Sequence, residues 1–298
     1  MLKNEIAILL QGRFTEETIN TIECYLKWSI AENIIVSTWE GSVDSSMKRR
    51  LTELGIHIIY SPDPKYPGYR NVNRQIVSTY AGLTWAKCQG YTHLIKVRTD
   101  HNIENLDSII REYKGVIDGK IVAIQSQNYF KFPFMINDFI FYSKIDNLLM
   151  LFDAELSTSS NGDLGVGTRL YNLVSHFNNE RNLHNDNPAV AEKYLLFNYI
   201  SKHGIEVPKG FKRQSILSLY FINRYFQLIN PKDVNLKSEK KYFALEYNGP
   251  LQEYLVTLEE KRMKFLLKFV SYYSLDVLKK LSVHFKYLVK IVKTFLYK

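Results

Sequence analysis

The sequence predicts an α/β protein whose mostly parallel sheet is covered by helices on both faces. Short apolar runs alternate with helical patterns at a spacing of roughly 25 to 35 residues, which is typical of βαβ units. The apolar runs are continuous, and this indicates strands that are buried on both faces. With 298 residues, of which 46% are hydrophobic, the chain is long enough for one large domain with an extension.

Each strand is predicted from an apolar run and from the residues that end it. The first run ends at Gly12, and Thr15 then offers an N-cap for a helix that carries Glu16 and Glu17 in its first turn. The fourth run starts at Thr92 and stops abruptly on a cation and a carboxylate. The predicted strands, the last of which continues into a helix, lie at 5–12, 33–41, 56–64, 92–100, 120–127 and 137–152.

Further helices are predicted where apolar residues recur at helical spacing between start and stop signals. Gly90 stops one of them, and Asn187 caps another that has Pro188 as its first residue. The segment 155–187 is polar and rich in Gly, Asn and Ser. We therefore expect a long mobile segment there that lies over a substrate. The predicted helices lie at about 43–54, 71–90 and 187–204.

The net charge is concentrated at the C-terminal end. The whole chain has 39 basic and 30 acidic residues, a net charge of +9. Residues 261–298 contain ten basic residues and one acid, Asp276, which also gives +9. The first 260 residues therefore balance at 29 and 29, which argues against a nucleic-acid-binding surface on the main domain.

The basic end has the pattern of two amphipathic helices, at about 251–270 and from Ser274 onward. The polar face is basic and lacks acids, which favours an anionic membrane surface as its partner. The alternatives are a helical hairpin packed on the main domain and a homodimer contact. The apolar seam of the second helix consists of Leu278, Leu281, Phe285, Leu288, Val292 and Phe295.

Cysteine usage and hydropathy predict a cytoplasmic protein. Cys24 and Cys88 have neither CxxC nor metal-ligand spacing, and a chain of this size needs no disulfide. The N-terminus does not resemble a signal peptide, and no apolar run reaches the roughly 18 residues that a membrane span needs. We therefore expect a protein that lies peripherally on the inner face of the cytoplasmic membrane, held there by its basic tail.

The end of the fourth strand is the main candidate for chemistry. A carboxylate there, Asp100, would point into the crevice where parallel sheets bind ligands. It could hold Mg²⁺ or Mn²⁺ against a diphosphate, since these cations bind through one or two carboxylates plus phosphate. Arg98 alternates with it and could clamp a phosphate or orient the acid. The alternative is that Asp100 caps a helix that begins near Asn102, with Arg98 as its ion-pair partner.

The chain resembles the WavE lipopolysaccharide-synthesis family, which is similar to GT-A glycosyltransferases. The resemblance rests on "LLQGRF", "IIVSTWEG", "NVNRQIVSTYAGL", "LIKVRTD", "PFMINDFIFYSKID" and "AEKYLLFNYISKHG", which occur in this order between residues 5 and about 204. It implies a Rossmann-related, GT-A-like fold. It also places "RTD" (98–100) where GT-A enzymes carry the DxD metal motif, although Arg98 here replaces the first acid. A downstream histidine often completes that metal site, and His184 is the first candidate, ahead of His176 and His203.

The resemblance also implies where the donor would bind. Gln11 and Gly12 end the first strand, where such a fold places the nucleotide base. Trp39 would stack on a base or sugar, Asp63 would hold the ribose hydroxyls, and Arg74 would contact the diphosphate from a helix N-terminus. For each of these residues a structural role, in a turn, in the core or on the surface, is the alternative.

Transfer to an acceptor hydroxyl with inversion requires a carboxylate as general base. Two acids are candidates, with Asp138 preferred to Glu192. Asp138 opens the strand "DFIFYS", in the segment that the resemblance places on the acceptor side, and Glu192 lies early in the helix at 187–204. A surface or capping role is the alternative for either acid.

Together these observations predict a GT-A-like domain at 1–230 and a basic amphipathic helical extension at 231–298. We expect a sugar to pass from a nucleotide-sugar donor to a saccharide or lipid-linked saccharide acceptor, such as lipopolysaccharide core or capsule. The rival functions are nucleotidyl or phosphoryl transfer on the same sheet, and a non-catalytic scaffold that binds carbohydrate or membrane.

Overall fold

The computed structural model describes residues 5–27, 33–68, 71–125, 133–134, 136–157, 191–208, 211–230 and 233–238. The strands are β1 (Ile6–Gln11), β2 (Ile34–Trp39), β3 (His57–Ser61), β4 (His93–Arg98), β5 (His101–Ile103), β6 (Ile121–Gln125), β7 (Ile136–Lys144), β8 (Phe226–Ile229) and β9 (Leu236–Ser238). The helices are α1 (Glu16–Tyr25), α2 (Ser45–Glu53), α3 (Val72–Cys88), α4 (Leu106–Tyr113), α5 (Ile145–Phe152), α6 (Ala191–Lys202) and α7 (Phe211–Tyr225).

The main sheet has seven strands in the order β3-β2-β1-β4-β7-β6-β8. Every neighbouring pair is parallel except the two pairs that contain β7, so β7 alone runs against the other six. The predicted fold class, an α/β protein with a mostly parallel sheet and helices, is confirmed. The reversal at β7 follows from the chain length, because only residues 126–135 separate it from β6 and a parallel crossover needs about a dozen residues or more.

Helix α3 packs tightly against the centre of this sheet. Gly82 makes the contact possible, because a Cβ at this position would lie 2.5 Å from Cδ1 of Leu9 in β1. Every residue of β1 is buried, which explains the continuous apolar run that the sequence shows there. The close contact fixes the first turn of α3 above the carboxyl edge of the sheet.

A second, two-stranded sheet holds the chain just beyond β4. β5 begins one residue after Asp100 and pairs antiparallel with β9, with His101 opposite Ser238. The backbone N–H of Ile103 donates to the hydroxyl of the buried Tyr25 at 3.0 Å. These contacts fix the backbone on the far side of Asp100.

Several predictions fall on residues outside the described ranges. The excursion at 155–187 is described only as far as Ser157, and the capping residues Asn187 and Pro188 precede the described start of α6. The basic extension is described only up to Ser238, so the domain boundary near residue 230 stays a prediction. Among the helices that the structure describes, none combines the length and the apolar composition needed to cross a membrane.

Candidate functional site

The carboxyl ends of the parallel strands bring the predicted residues to one edge of the sheet. Gln11 ends β1, Trp39 ends β2 and Arg98 ends β4, and Gln11 lies beside Arg98 in the register of β1 and β4. Because β7 runs in the opposite direction, its first residues lie at the same edge. Asp138, the third residue of β7, thereby meets the end of β4.

The centre of this edge is a guanidinium held between two carboxylates. Arg98 donates from Nε to Oδ1 of Asp100 and from Nη2 to Oδ2, each at 2.8 Å. Its Nη1 donates to Oδ2 of Asp138 at 3.0 Å. Asp100 also contacts Nδ1 of the buried His101, which lies 3.0 Å from Oδ1. We call Arg98, Asp100 and Asp138 the strand-end cluster.

Two further polar side chains contact Asp138 inside the protein. Gln75, from the first turn of α3, donates from Nε2 to Oδ2 of Asp138 at 2.8 Å. Lys96 is fully buried in β4, and its Nζ donates to the backbone oxygen of Asp138 at 2.6 Å. Asp138 is thus held by a side chain of α3 and by a side chain of β4.

The charges of the strand-end cluster hold each other ionised. Burial raises the pKa of the Asp138 carboxyl, but the nearby Arg98 and Lys96 outweigh burial and hold it below its usual range. Burial also acts to raise the pKa of Asp100, while its hydrogen bonds from Arg98 and His101 lower it well below normal. Burial lowers the pKa of Lys96 from 10.5 to about 8, and the charge of Asp138 limits the fall.

Thr99 faces away from the cluster and joins β4 to the end of β1. Its N–H donates to the carbonyl oxygen of Gln11 at 3.1 Å, and its Oγ1 donates to the carbonyl oxygen of Arg13 at 2.7 Å. Gly12 has φ +139°, and a Cβ there would lie 2.5 Å from Oγ1 of Thr99. A glycine is therefore required at position 12, because the backbone there passes close to the side chain of Thr99. The hydrogen bond from Thr99 then positions the backbone of Arg13.

A cavity of about 510 Å³ lies at the ends of β1 and β2. The Arg74 guanidinium lies 5.6 Å from the centroid of the Trp39 ring. Arg74 also donates from Nε and Nη2 to the two oxygens of Asp63, each at 2.7 Å, and from Nη1 to Oδ1 of Asn71 at 3.0 Å. The hydrogen bond from Arg74 lowers the pKa of Asp63. The lining residues are Arg13, Phe14, Trp39, Gly41, Ser42, Asp44, Met47 and Arg74.

Gln11 points into the protein and does not line this cavity. Its Nε2 donates to Oγ of Ser78 in α3 at 2.9 Å, and that hydroxyl donates to the backbone oxygen of Arg74 at 2.6 Å. Ser37 of β2 adds a hydrogen bond to the backbone oxygen of Ser78 at 2.6 Å. Gln11 therefore contacts the turn of helix that carries Arg74.

The structure brings most of the predicted residues together in two groups. Trp39 and Arg74 line the cavity, with Asp63 paired to Arg74, and Arg98, Asp100 and Asp138 meet in the strand-end cluster. Glu192 is half-buried in the first turn of α6, close enough that its charge raises the pKa of Lys96. His184 and His176 lie outside the described residues, and His203 packs against the rings of Tyr199 and Tyr225.

Of the structural alternative for Asp100, the helix cap near Asn102 does not occur, because residues 101–103 form β5, whereas the ion pair with Arg98 does occur. Helix α4 begins only at Leu106, after Asn105.

Sequence reasoning missed three residues of the site: Arg13, Gln75 and Lys96. A signal existed for each of them. Lys96 is a charged residue inside an apolar strand and alternates with Arg98, so both side chains point to one face. Arg13 directly follows Gly12 at a strand end, and Gln75 directly follows Arg74 at a helix start.

The described part of the site does not fit a divalent cation. Both oxygens of Asp100 and Oδ2 of Asp138 accept N–H groups from Arg98, so a guanidinium fills the space between the two carboxylates. Within the described residues, no group of three or more His, Cys, Asp or Glu side chains could hold a metal ion. The cation and His184 as its ligand stay predictions.

A family model described as WavE lipopolysaccharide synthesis matches residues 11–291. The chain belongs to the WavE lipopolysaccharide synthesis family. The family inferred from the sequence motifs is thereby confirmed, and every predicted site residue of this WavE protein lies within the matched range, from Gln11 to Glu192. No curated protein sequence is detectably similar to it.

Solved structures resemble this WavE chain only distantly. A mannose-1-phosphate geranyltransferase from Thermus thermophilus matches with 12% identity and a TM-score of 0.40, over 78% of this chain and 76% of that one. A cytidylyltransferase from Leptospira borgpetersenii serovar Hardjo-bovis has 15% identity and a TM-score of 0.34, over 51% of this chain and 66% of that one. A glycosyltransferase involved in glycosylation of the major capsid of PBCV-1 has 12% identity and a TM-score of 0.31, over 57% and 76%. Because all three scores are below 0.5, they decide nothing about the reaction.

Proposed function

We propose that this WavE protein transfers a sugar from a nucleotide-sugar donor to a surface polysaccharide acceptor, such as lipopolysaccharide core or capsule. The observation that carries the proposal is the cavity at the ends of β1 and β2. An indole and two guanidinium groups line it, those of Trp39, Arg13 and Arg74. These are the groups that stack on a base and bind a diphosphate.

The donor would lie with its base or sugar against Trp39 and its diphosphate toward Arg13 and Arg74. Asp63 and Arg74 form a bidentate ion pair at the surface, and their side chains are 43% and 32% exposed. A donor can therefore reach both groups. In this arrangement Asp63 meets the ribose hydroxyls, while Gln11 and Gly12 position the adjoining backbone and Arg13.

Of the two candidate bases, the surroundings favour Glu192. A general base works best with a pKa near the working pH, and the charges around Asp138 hold its pKa below the usual range. The carboxylate of Asp138 is also buried and bonded to Arg98 and Gln75. Asp138 is better suited to holding Arg98, and Glu192, half-buried at the start of α6, is better placed to take a proton from an acceptor hydroxyl.

Family membership and the basic C-terminal sequence support the proposed acceptor class. A lipid-linked saccharide would lie at a membrane surface. The positively charged extension would be attracted to anionic lipids at that surface. We propose that the protein works on the cytoplasmic face of the membrane and binds it through this extension. Co-sedimentation with liposomes tests the idea. A version that ends at residue 250 should pellet less than the full chain, and equal pelleting would refute anchoring by the tail.

The activity is tested with a panel of nucleotide-sugars, by calorimetric binding and by release of nucleotide in the presence of membrane acceptor. Trp39→Ala and Arg74→Ala should each weaken donor binding by about tenfold, a loss of roughly 1.4 kcal/mol. Trp85→Ala and Arg49→Ala are matched controls, since Trp85 stacks on His57 and Arg49 pairs with Glu53 on the surface.

The rival functions predict different substrates and products. A nucleotidyl transferase would join a sugar phosphate to the α-phosphate of a nucleoside triphosphate and release pyrophosphate. A scaffold would turn over no donor, and Asp100→Ala would leave the surface polysaccharide unchanged.

A further inference from the structure

The strand-end cluster contains its own positive charge where the family resemblance places a metal ion. Arg98 uses three of the five N–H groups of a guanidinium on Asp100 and Asp138. Within the described residues this leaves two N–H groups, and the Arg98 side chain is 29% exposed. The guanidinium is thus fixed from one side and open from the other.

A cation bound between the two carboxylates would have to displace the guanidinium. Both carboxylate oxygens of Asp100 accept hydrogen bonds from Arg98, and His101 Nδ1 lies 3.0 Å from Oδ1. Oδ2 of Asp138 accepts from both Arg98 and Gln75. A displaced Arg98 would remain next to the cation and repel it, and the buried Lys96 would add a second like charge.

We propose that Arg98 takes the place of the divalent cation, so that this protein binds its nucleotide-sugar donor without a metal. The inference rests on the proposed function for the identity of the ligand. Planar guanidinium groups recognise phosphate through two parallel N–H bonds, and two N–H groups of Arg98 are available for this. Asp100 and Asp138 then act as positioning residues that hold the guanidinium in place.

The first test measures metal binding directly, by the loss of the free Mn²⁺ signal in electron paramagnetic resonance. Adding the full chain should not lower the free Mn²⁺ signal, either for Mn²⁺ alone or for Mn²⁺ mixed with UDP, GDP or ADP, each compared with the same mixture without protein, because these nucleotides bind part of the cation themselves. Arg98→Asp should bind Mn²⁺, because it adds a third carboxylate beside Asp100 and Asp138. Arg49→Asp is the matched control: it makes the same charge change next to Glu53 on the surface and should leave Mn²⁺ free.

Stoichiometric binding of Mn²⁺ by the unaltered chain, lost in Asp100→Asn, would overturn the proposal. The decisive sample is the unaltered protein, and Asp100→Asn, which keeps the size of the side chain, serves only to locate the bound Mn²⁺.

The second test uses nucleotide binding by calorimetry, with EDTA or with Mn²⁺. For whichever of UDP, GDP and ADP binds, the Kd in EDTA should be no weaker than the Kd with Mn²⁺, since Mn²⁺ can only compete for the diphosphate, and Arg98→Gln should weaken binding in EDTA at least tenfold. Binding that disappears in EDTA and returns with Mn²⁺ would refute the inference. If none of the three nucleotides binds in either condition, the proposed function fails, and the Mn²⁺ titration still decides whether Arg98 excludes the metal.

Discussion

Arg74 and Gln75 are consecutive residues in the first turn of α3, and they serve the two halves of the site. Arg74 lines the cavity and pairs with Asp63, whereas Gln75 donates a hydrogen bond to Asp138 in the strand-end cluster. One turn of helix therefore contacts both the cavity at the ends of β1 and β2 and the strand-end cluster. A shift of α3 would change both at once.

Replacing Gln75 by leucine tests the link between α3 and the strand-end cluster. Gln75→Leu keeps the size of the side chain but removes a hydrogen bond to a buried carboxylate, so it should lower the free energy of unfolding by about 1–3 kcal/mol. It should also reduce turnover, because it removes one of the groups that hold the Asp138 carboxylate against Arg98. Urea unfolding and steady-state kinetics provide the measurements. The exposed Gln89→Leu should do neither, and equal effects of the two changes would contradict the prediction.

Arg74→Ala should reduce ligand affinity without reducing stability. The ion pair with Asp63 is near the surface, and pairs of this kind contribute about 0–1 kcal/mol to folding. The thermal midpoint should therefore stay within a few degrees of the wild type, while the Kd for the diphosphate rises about tenfold. Arg111→Ala removes a surface pair with Asp107 and is the control for both measurements. An unchanged Kd would show that Arg74 does not touch the ligand.

The buried Lys96 should make stability depend on alkaline pH. The folded protein releases the Lys96 proton near pH 8, whereas the unfolded chain holds it to about 10.5. In this window the unfolded state binds more protons, so the free energy of unfolding should rise with pH, by about 3 kcal/mol over the whole window. Lys96→Met, which has a similar size and no charge, should lack this rise.

The measurement for Lys96 is denaturant unfolding at several pH values from 7 to 10, with each variant compared to the wild type. The exposed Lys114→Met should follow the wild-type curve. Parallel curves for wild type and Lys96→Met would mean that the lysine keeps its proton throughout this range, in conflict with its burial.

Gly12→Ala should destabilise the junction of β1 and β4. The positive φ strains any side chain, and the added Cβ would meet Oγ1 of Thr99, so we expect a loss of about 2–3 kcal/mol in the free energy of unfolding. In Gly115→Ala, by contrast, the new Cβ meets no heavy atom within 4 Å, and stability should change by less than about 0.5 kcal/mol. Chemical denaturation compares the two. A Gly12→Ala protein as stable as the Gly115→Ala protein would show that the backbone relaxes at no cost.

The central strands and α3 could be predicted from the sequence because their signals are local. The first run is apolar throughout and ends at a glycine, and Gly90 stops the pattern of α3. The reversed direction of β7 has no local signal, since an apolar strand has the same pattern whichever way it runs. The observed bounds are also shorter than predicted, as at β3, where residues 62–64 continue as loop.

The site was predictable residue by residue but not contact by contact. Asp100 and Arg98 stand out as charges at the end of an apolar strand. The contacts of Asp138 come from residues far away in sequence, for example Gln75 at a separation of 63, and only the folded sheet brings them together. The inward direction of Gln11 was equally hidden, because its partner Ser78 is 67 residues away.

The pairing of β5 with β9 has a practical bearing on where the chain can be shortened. Leu236–Ser238 supply the backbone groups opposite His101–Ile103, directly after Asp100. A version cut at residue 230 would leave that edge open to water and loosen the backbone beside the acid. Any truncation intended to remove the basic extension should therefore keep the chain through Ser238. Otherwise a loss of activity caused by the missing β9 could be attributed to the missing extension.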